Sequence, residues 1–196
     1  MAASTVFDAQ FARAQFEERI GSLEADTNRC FWQIPGGPGF AYFPPVLYAL
    51  ATIDHVSSYW AGWNDRGRDR SKSQTVRLVD FMVKYLGYDR RASQVGVAIW
   101  RHKLMHTGQP RVLNGKTSGD RFIWETGIGL SDHMTLQPTG TPNEFILRFD
   151  SYAVVGDLRR GVLGPSGYVS DLCASTALQK LFLDCLNEME SYAVDA

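Results

Sequence analysis

The sequence predicts a mainly α-helical bundle with a small antiparallel β insertion, at about 121–149, placed before the C-terminal helices. Two observations carry this expectation. Apolar residues recur at helical spacing ahead of residue 107 and again beyond 150, with Gly or Pro closing several of these stretches. Between them, RFIWETGIGL, HMTLQP and EFILRF are rich in β-branched and aromatic residues and are broken by Gly, Pro and Asn. A length of 196 residues suits a single domain, 1–196, with a core of useful size.

Residues 7–25 read as the first helix, with Phe7, Phe11, Ile20 and Leu23 as its larger apolar members. CFWQIPGGPGFAYFPP, 30–45, reads as an ordered loop packed by its rings. Its glycines do not make a phosphate loop, because no Gly-Lys-Ser/Thr follows. Residues 46–63 form a second helix, in which Leu47, Leu50, Ala51, Asp54 and Ser58 fall near one face and turn Asp54 inward. NDRGRDRSKS, 64–73, is a charged loop. A third helix spans 74–87 and stops at Gly87, and Asp89 caps a fourth over 90–106 that ends before Gly108 and Pro110. Two or three short antiparallel strands follow across 121–149. Helices return over 150–163 and 168–192, separated by Gly164, Pro165 and Gly167.

Net charge is −1, yet its distribution is uneven. Residues 64–116 hold twelve Lys and Arg against four acids, and the rest holds eight against seventeen. Such asymmetry is compatible with a surface that meets a polyanion, and equally with a solvated basic helix face. Cys30, Cys173 and Cys185 form no CxxC pair and no disulfide framework. The first twenty residues carry Asp8, Glu17 and Glu18 and no apolar run of signal-peptide type. No apolar run approaches the roughly 20 residues that span a bilayer. A cytoplasmic protein without membrane contact is the expectation.

IWRHKLMHTGQPR, 99–111, holds the chemistry-bearing residues. With Val95 at 0° and 100° per residue, Ile99 falls at about 40°, His102 at about 340° and His106 at about 20°. Both histidines therefore lie on an apolar stripe. Trp100, Leu104 and Val97 form a second stripe near 140–200° by the same geometry. A helix apolar on two sides is sandwiched between two surfaces: the chain's own core and, as a candidate, a second copy through the 90–106 helix. Arg101 sits roughly 140° from His106, so in a straight helix they share no face. An unwound end or a partner subunit would bring them to one phosphate.

Histidine titrates near neutrality and passes protons, while the permanently charged fork of arginine matches phosphate oxygens. Together Arg101 and His106 suit phosphodiester chemistry without metal. The plain alternative is a hydrogen-bonded core histidine and an arginine meeting a helix C-terminal dipole. His102 and His106 also have metal-ligand spacing, but no Glu follows His102, Arg101 and Lys103 repel a dication, and His55 or His133 would have to complete the site from afar. No metal and no cofactor is expected. No GxSxG occurs, and GIGLSD at 127–132 lacks the third glycine of a dinucleotide loop.

Arg101-His102-Lys103-Leu104-Met105-His106 resembles the R-φ-x-x-x-H signature of HEPN domains, and IWRHKLMHTGQP is similar to its context in bacterial HEPN-like proteins. The resemblance covers 46–110 and the final helix, 168–192. It implies a HEPN-like helical bundle, commonly dimeric, acting as a metal-independent endoribonuclease in which the RNA 2′-hydroxyl attacks the adjacent phosphate. By carry-over Arg101 and His106 match the catalytic pair and His102 the polar auxiliary position. Arg66, Arg68, Arg70, Lys103 and Arg111 are the expected phosphate contacts. RNA, a second copy, and an antitoxin or other protein are the implied partners. The strands at 121–149 stand outside a minimal HEPN bundle. Members of the family also serve as non-catalytic modules that bind nucleotide, nucleic acid or protein, which is the alternative function.

Overall fold

The computed structural model describes residues 6–31, 43–62, 74–99, 112–115 and 118–190. It is mainly helical with a small mixed sheet. Helix α1 (Ala9–Cys30) starts at Asp8, whose carboxylate accepts the N–H groups of Gln10 and Phe11 at 2.8 and 3.0 Å. Its buried face is Ala12, Phe16, Ile20, Leu23 and Thr27, spaced three and four apart. Phe11, one of the larger apolar members of this helix, is 47% exposed; the phase set by Phe16 and Ile20 turns it outward.

Helix α2 (Phe43–Ala61) carries Pro44 and Pro45 in its first turn, where no N–H is needed. It ends at Gly62, which has φ +60° and lies so close to Leu181 that a Cβ there would sit 2.6 Å from its side chain. Helix α3 (Gln74–Phe81) runs on into a wider π-type turn (Met82–Leu86), and Gly87 closes it in the left-handed conformation, as the sequence predicts. Asp54 does turn inward. It pairs with Arg77 of α3, a side chain only 1% exposed, and accepts from Gln74 Nε2 at 2.8 Å; Arg77 Nε also donates to Ser57 Oγ at 3.2 Å.

Asp89 starts helix α4 (Arg90–Gly96) by accepting from Ala92 N–H at 2.9 Å, and residues 97–99 continue in π-type winding. The expected stretch 100–106 lies outside the described residues, as do the loop at 64–73 and most of 30–45.

The sheet corrects the antiparallel expectation. Strands β1 (Leu113–Asn114), β2 (Arg121–Gly127), β3 (Leu136–Pro138) and β4 (Glu144–Asp150) lie in the order β1-β2-β4-β3, and the central pair β2–β4 is parallel, from Arg121↔Glu144 to Gly127↔Asp150. β3 pairs antiparallel with β4 on its other edge. The chain therefore leaves β2, crosses the C-terminal end of β4 through residues 128–135, and returns as β3. Two short edge strands expose little unpaired backbone.

β4 runs directly into helix α5 (Ser151–Leu158), capped by Asp150 and continued by a second π-type turn (Arg159–Leu163). The single helix expected at 168–192 is instead two, α6 (Tyr168–Ala174) and α7 (Thr176–Glu190). The break is Ser175, extended at φ −127° and ψ 111°, whose hydroxyl accepts from Leu178 N–H at 3.3 Å and so starts the next helix. Phe16, Tyr59, Tyr168 and Phe182 interlock where α1, α2, α6 and α7 meet, with ring centroids 4.9–6.1 Å apart. No described helix is long and apolar enough to cross a membrane.

Two outcomes test this packing. Asp54→Ala takes the Asp54 carboxylate away from the buried Arg77 guanidinium, and chemical denaturation is expected to show a loss of about 3–5 kcal/mol. Gly161→Ala would normally favour a helix, but a Cβ at Gly161 falls 2.4 Å from the Tyr85 carbonyl oxygen, where the two π-type turns touch. Denaturation should show a destabilisation of about 1–3 kcal/mol; a gain would disprove that close approach.

Candidate functional site

Every residue the sequence nominates for catalysis or phosphate contact, namely Arg101, His102, His106, Arg66, Arg68, Arg70, Lys103 and Arg111, lies outside the described residues. What the structure does show is the helix that leads to the motif. From Ala92 to Ile99 it is sheathed: Ala92, Ser93, Val95, Gly96, Val97 and Ile99 are buried, Ala98 is partly buried, and only Gln94 faces solvent, after Arg90 and Arg91 at the exposed start of the helix. Val95 and Ile99 belong to one apolar stripe and Val97 to the other. Up to Ile99 a single chain covers both.

The charge distribution is sharper than the sequence alone suggests. The described residues carry twelve Lys and Arg against eighteen Asp and Glu, a net of −6. Ten of those twelve cations are ion-paired, among them Arg77, Lys84, Arg90 and Arg91 with Asp54, Asp171, Asp80 and Asp120. These four came from the basic 64–116 stretch, and their charge is spent within the fold. The remaining eight Lys and Arg fall in 63–73 and 100–117, with only Asp65 and Asp69 beside them.

The main polar cluster within the fold was not anticipated. It forms where the chain crosses the end of β4. His133 sits between Asp132 and Met134, both in the left-handed region at φ 59° and 53°. That conformation costs a non-glycine residue about 1–2 kcal/mol, so packing and hydrogen bonds must hold it. Asp150 N–H donates to His133 Nδ1 at 2.9 Å. A backbone N–H can only donate, so Nδ1 carries no proton and the ring hydrogen belongs to Nε2. Nε2–H then donates to Tyr88 Oη at 3.0 Å, and the Tyr88 hydroxyl donates to Asp157 Oδ2 at 2.6 Å. Arg160 pairs with the other oxygen of Asp157. The Asp150 carboxylate accepts three N–H groups, from Leu130, Tyr152 and Ala153, at 2.7–2.9 Å. Tyr88, Asp150 and Asp157 carried no signal in the sequence, because the contacts to His133 and between Tyr88 and Asp157 join residues that are far apart in the chain.

This cluster resembles a relay but is set against acid–base work near neutrality. Burial lowers the His133 pKa, with Asp157 and Asp150 opposing the effect, and the Asp150 N–H occupies the nitrogen a base would use. Burial, then the Asp157 charge and its hydrogen bond, raise the Tyr88 pKa far above neutrality. The chain of hydrogen bonds is a clamp between sheet and bundle. Both ring nitrogens of His133 are engaged, so it is not free to complete a zinc site with His102 and His106. Among the described residues no group of three or more His, Cys, Asp or Glu is arranged to hold a metal. No family model, curated protein or solved structure matches the chain.

The clamp makes a pH prediction. The folded state holds His133 neutral below the pH at which the unfolded chain, with a pKa near 6.5, takes up a proton. Its stabilisation is therefore complete above about pH 6.5 and is lost as pH falls toward the lowered folded value. Stability should drop by up to about 1.4 kcal/mol per pH unit for each excluded proton. His55, whose pKa is also lowered by burial, adds in the same direction. Unfolding free energies at pH 7 and pH 5 should differ less in His133→Asn than in the parent protein. An unchanged slope would show that His133 is not the group excluded.

Proposed function

We propose that the chain is a metal-independent endoribonuclease of HEPN type, with Arg101 and His106 as its catalytic pair and His102 as the polar neighbour. The observation that carries this reading is the Asp89-capped helix, buried through Ile99, whose sequence leads directly into Arg101–His106. A motif that follows a sheathed helix starts from a fixed base. The charge distribution supports the same reading. Ten of the twelve described cations are ion-paired, and the bases we assign to meet phosphates are Arg66, Arg68, Arg70, Lys103 and Arg111.

The chemistry is balanced without metal. Neutral His106 accepts the 2′-hydroxyl proton, and O2′ attacks the adjacent phosphorus. The P–O5′ bond breaks to leave a 2′,3′-cyclic phosphate and a 5′-hydroxyl, which takes up the proton. Arg101 stabilises the charge gathering on the non-bridging oxygens. Where both partners come from two copies, the contact belongs to residues beyond Ile99, since the helix before that point is already covered.

Purified protein in EDTA is expected to cleave members of a broad RNA panel, leaving cyclic-phosphate ends. Arg101→Ala and His106→Ala should each lower the rate by about 100–1,000-fold with the circular dichroism spectrum unchanged, and His102→Ala by less. A mixture of the two inactive variants should regain part of the activity if each site draws on both subunits. Replacing Arg66, Arg68 and Arg70 together should flatten the dependence of RNA affinity on salt. Salt-dependent binding with no cleavage would instead establish a non-catalytic binding module.

A further inference from the structure

We propose that residues 128–133 form a flap over the end of β4, and that a single proton on the His133 ring releases it. The flap is anchored at both ends. Gly127 closes β2 and is buried, and Met134 is 2% exposed and donates its N–H to the Arg148 carbonyl at 2.9 Å. Between these anchors Ile128, Gly129, Ser131 and Asp132 are exposed, so the segment covers the strand end while burying little of itself. Its ties to the body are polar. Leu130 N–H donates to the Asp150 carboxylate at 2.7 Å, while His133 takes the Asp150 N–H on Nδ1 and meets Tyr88 Oη through Nε2. Asp132 and Met134 hold left-handed backbone on either side of His133, so the closed flap is strained around the residue that fastens it to Asp150 and Tyr88.

The fastening depends on protonation. Nδ1 can hold the Asp150 N–H only as a bare nitrogen, and Nε2 already carries the ring hydrogen. A second proton would set two N–H groups against each other across 2.9 Å, so the closed flap has no place for it.

The groups around the ring decide where the proton is accepted. Tyr88 faces it from the head of α4, Asp157 from α5 with Oδ2 3.6 Å from Nε2, and Asp150 from the end of β4. Arg160 pairs with Asp157, and Arg148 of β4 lies 3.7 Å from Asp132 on the flap itself. With the flap closed, burial outweighs the two nearby acids and keeps the ring neutral. With the flap open, the ring meets water, and Asp150 and Asp157 still attract its charge from the body. The open form therefore binds the proton more tightly than the closed form, and acid shifts the population toward it. The closed form is favoured above about pH 6.5, the ordinary histidine value, and gives way as pH falls toward the lowered closed value. This is a movement within the folded state, distinct from loss of global stability, and it does not depend on the RNase reading.

The test is native-state hydrogen exchange of the full chain by NMR at pH 7 and pH 5.5, corrected for the chemical exchange rate and repeated in low urea. The Leu130 and Asp150 amides are expected to exchange well before those of Phe16 and Ile20 in α1. They should not respond to low urea, because the opening exposes little surface. On acidification their protection should fall by up to about tenfold per pH unit. His133→Asn keeps an acceptor where Nδ1 stands but does not titrate, so it should remove the pH response. Exchange of Leu130 and Asp150 only in step with Phe16 and Ile20 would reduce the effect to global unfolding and overturn the proposal. Protection unchanged between the two pH values, or an undiminished pH response in folded His133→Asn, would also overturn it. Should His133→Asn fail to fold, the imidazole nitrogen shifts of the parent protein decide. Exchange that rises along the His133 protonation curve supports the flap, and a rise along any other group's titration overturns it.

Discussion

The point on which the structure turns is the end of β4, where the strand becomes α5 and the connection from β2 passes over it. Three backbone N–H groups converge there from the crossing loop and the first turn of α5, and the Asp150 carboxylate accepts all three. The N–H of Asp150 goes to His133, so the residue joins the sheet, the crossing loop and the helix at once. Buried backbone polar groups must find partners, and this arrangement supplies them without water. Through His133 the same point reaches Tyr88 at the head of α4 and Asp157 on α5. The mixed sheet is thereby clamped to the helices by hydrogen bonds as well as by Leu147 and Phe149, which are fully buried.

A second regularity is that the fold spends its charges internally. Arg77 and Asp54 join α3 to α2 across the core, Arg159 pairs with Glu24 of α1, and Arg91 pairs with Asp120 while lying over the Phe122 and Phe145 rings. Most exposed pairs of this kind add little stability, roughly 0–1 kcal/mol each. Their effect on recognition is larger, because a paired cation has little to offer a phosphate. Among the described residues Arg19 then stands out as a half-buried cation without an acidic partner.

What the sequence by itself determined is what depends on neighbours within a few residues. Asp8 and Asp89 announce helix starts because a carboxylate caps N–H groups two or three positions on, and Gly87 announces a stop because only glycine adopts a left-handed turn without strain. The sheet region and the inward turn of Asp54 were legible for the same reason, from local composition and helical phase. The motif Arg101–His106 is likewise a statement of sequence, and its chemistry is read from side-chain types alone. Tertiary structure decided the rest. Phe16 rather than Phe11 enters the core because packing against α2 and α7 sets the phase of α1. Ser175 breaks the last helical stretch, where periodicity continues without interruption. β2 pairs in parallel with β4 because β3 occupies the opposite edge, a choice between partners that no single strand encodes. Tyr88, His133, Asp150 and Asp157 became one clamp, and Arg19 the half-buried cation without an acid, because hydrogen bonding and burial are properties of groups brought together across the chain, and spacing along it does not record them.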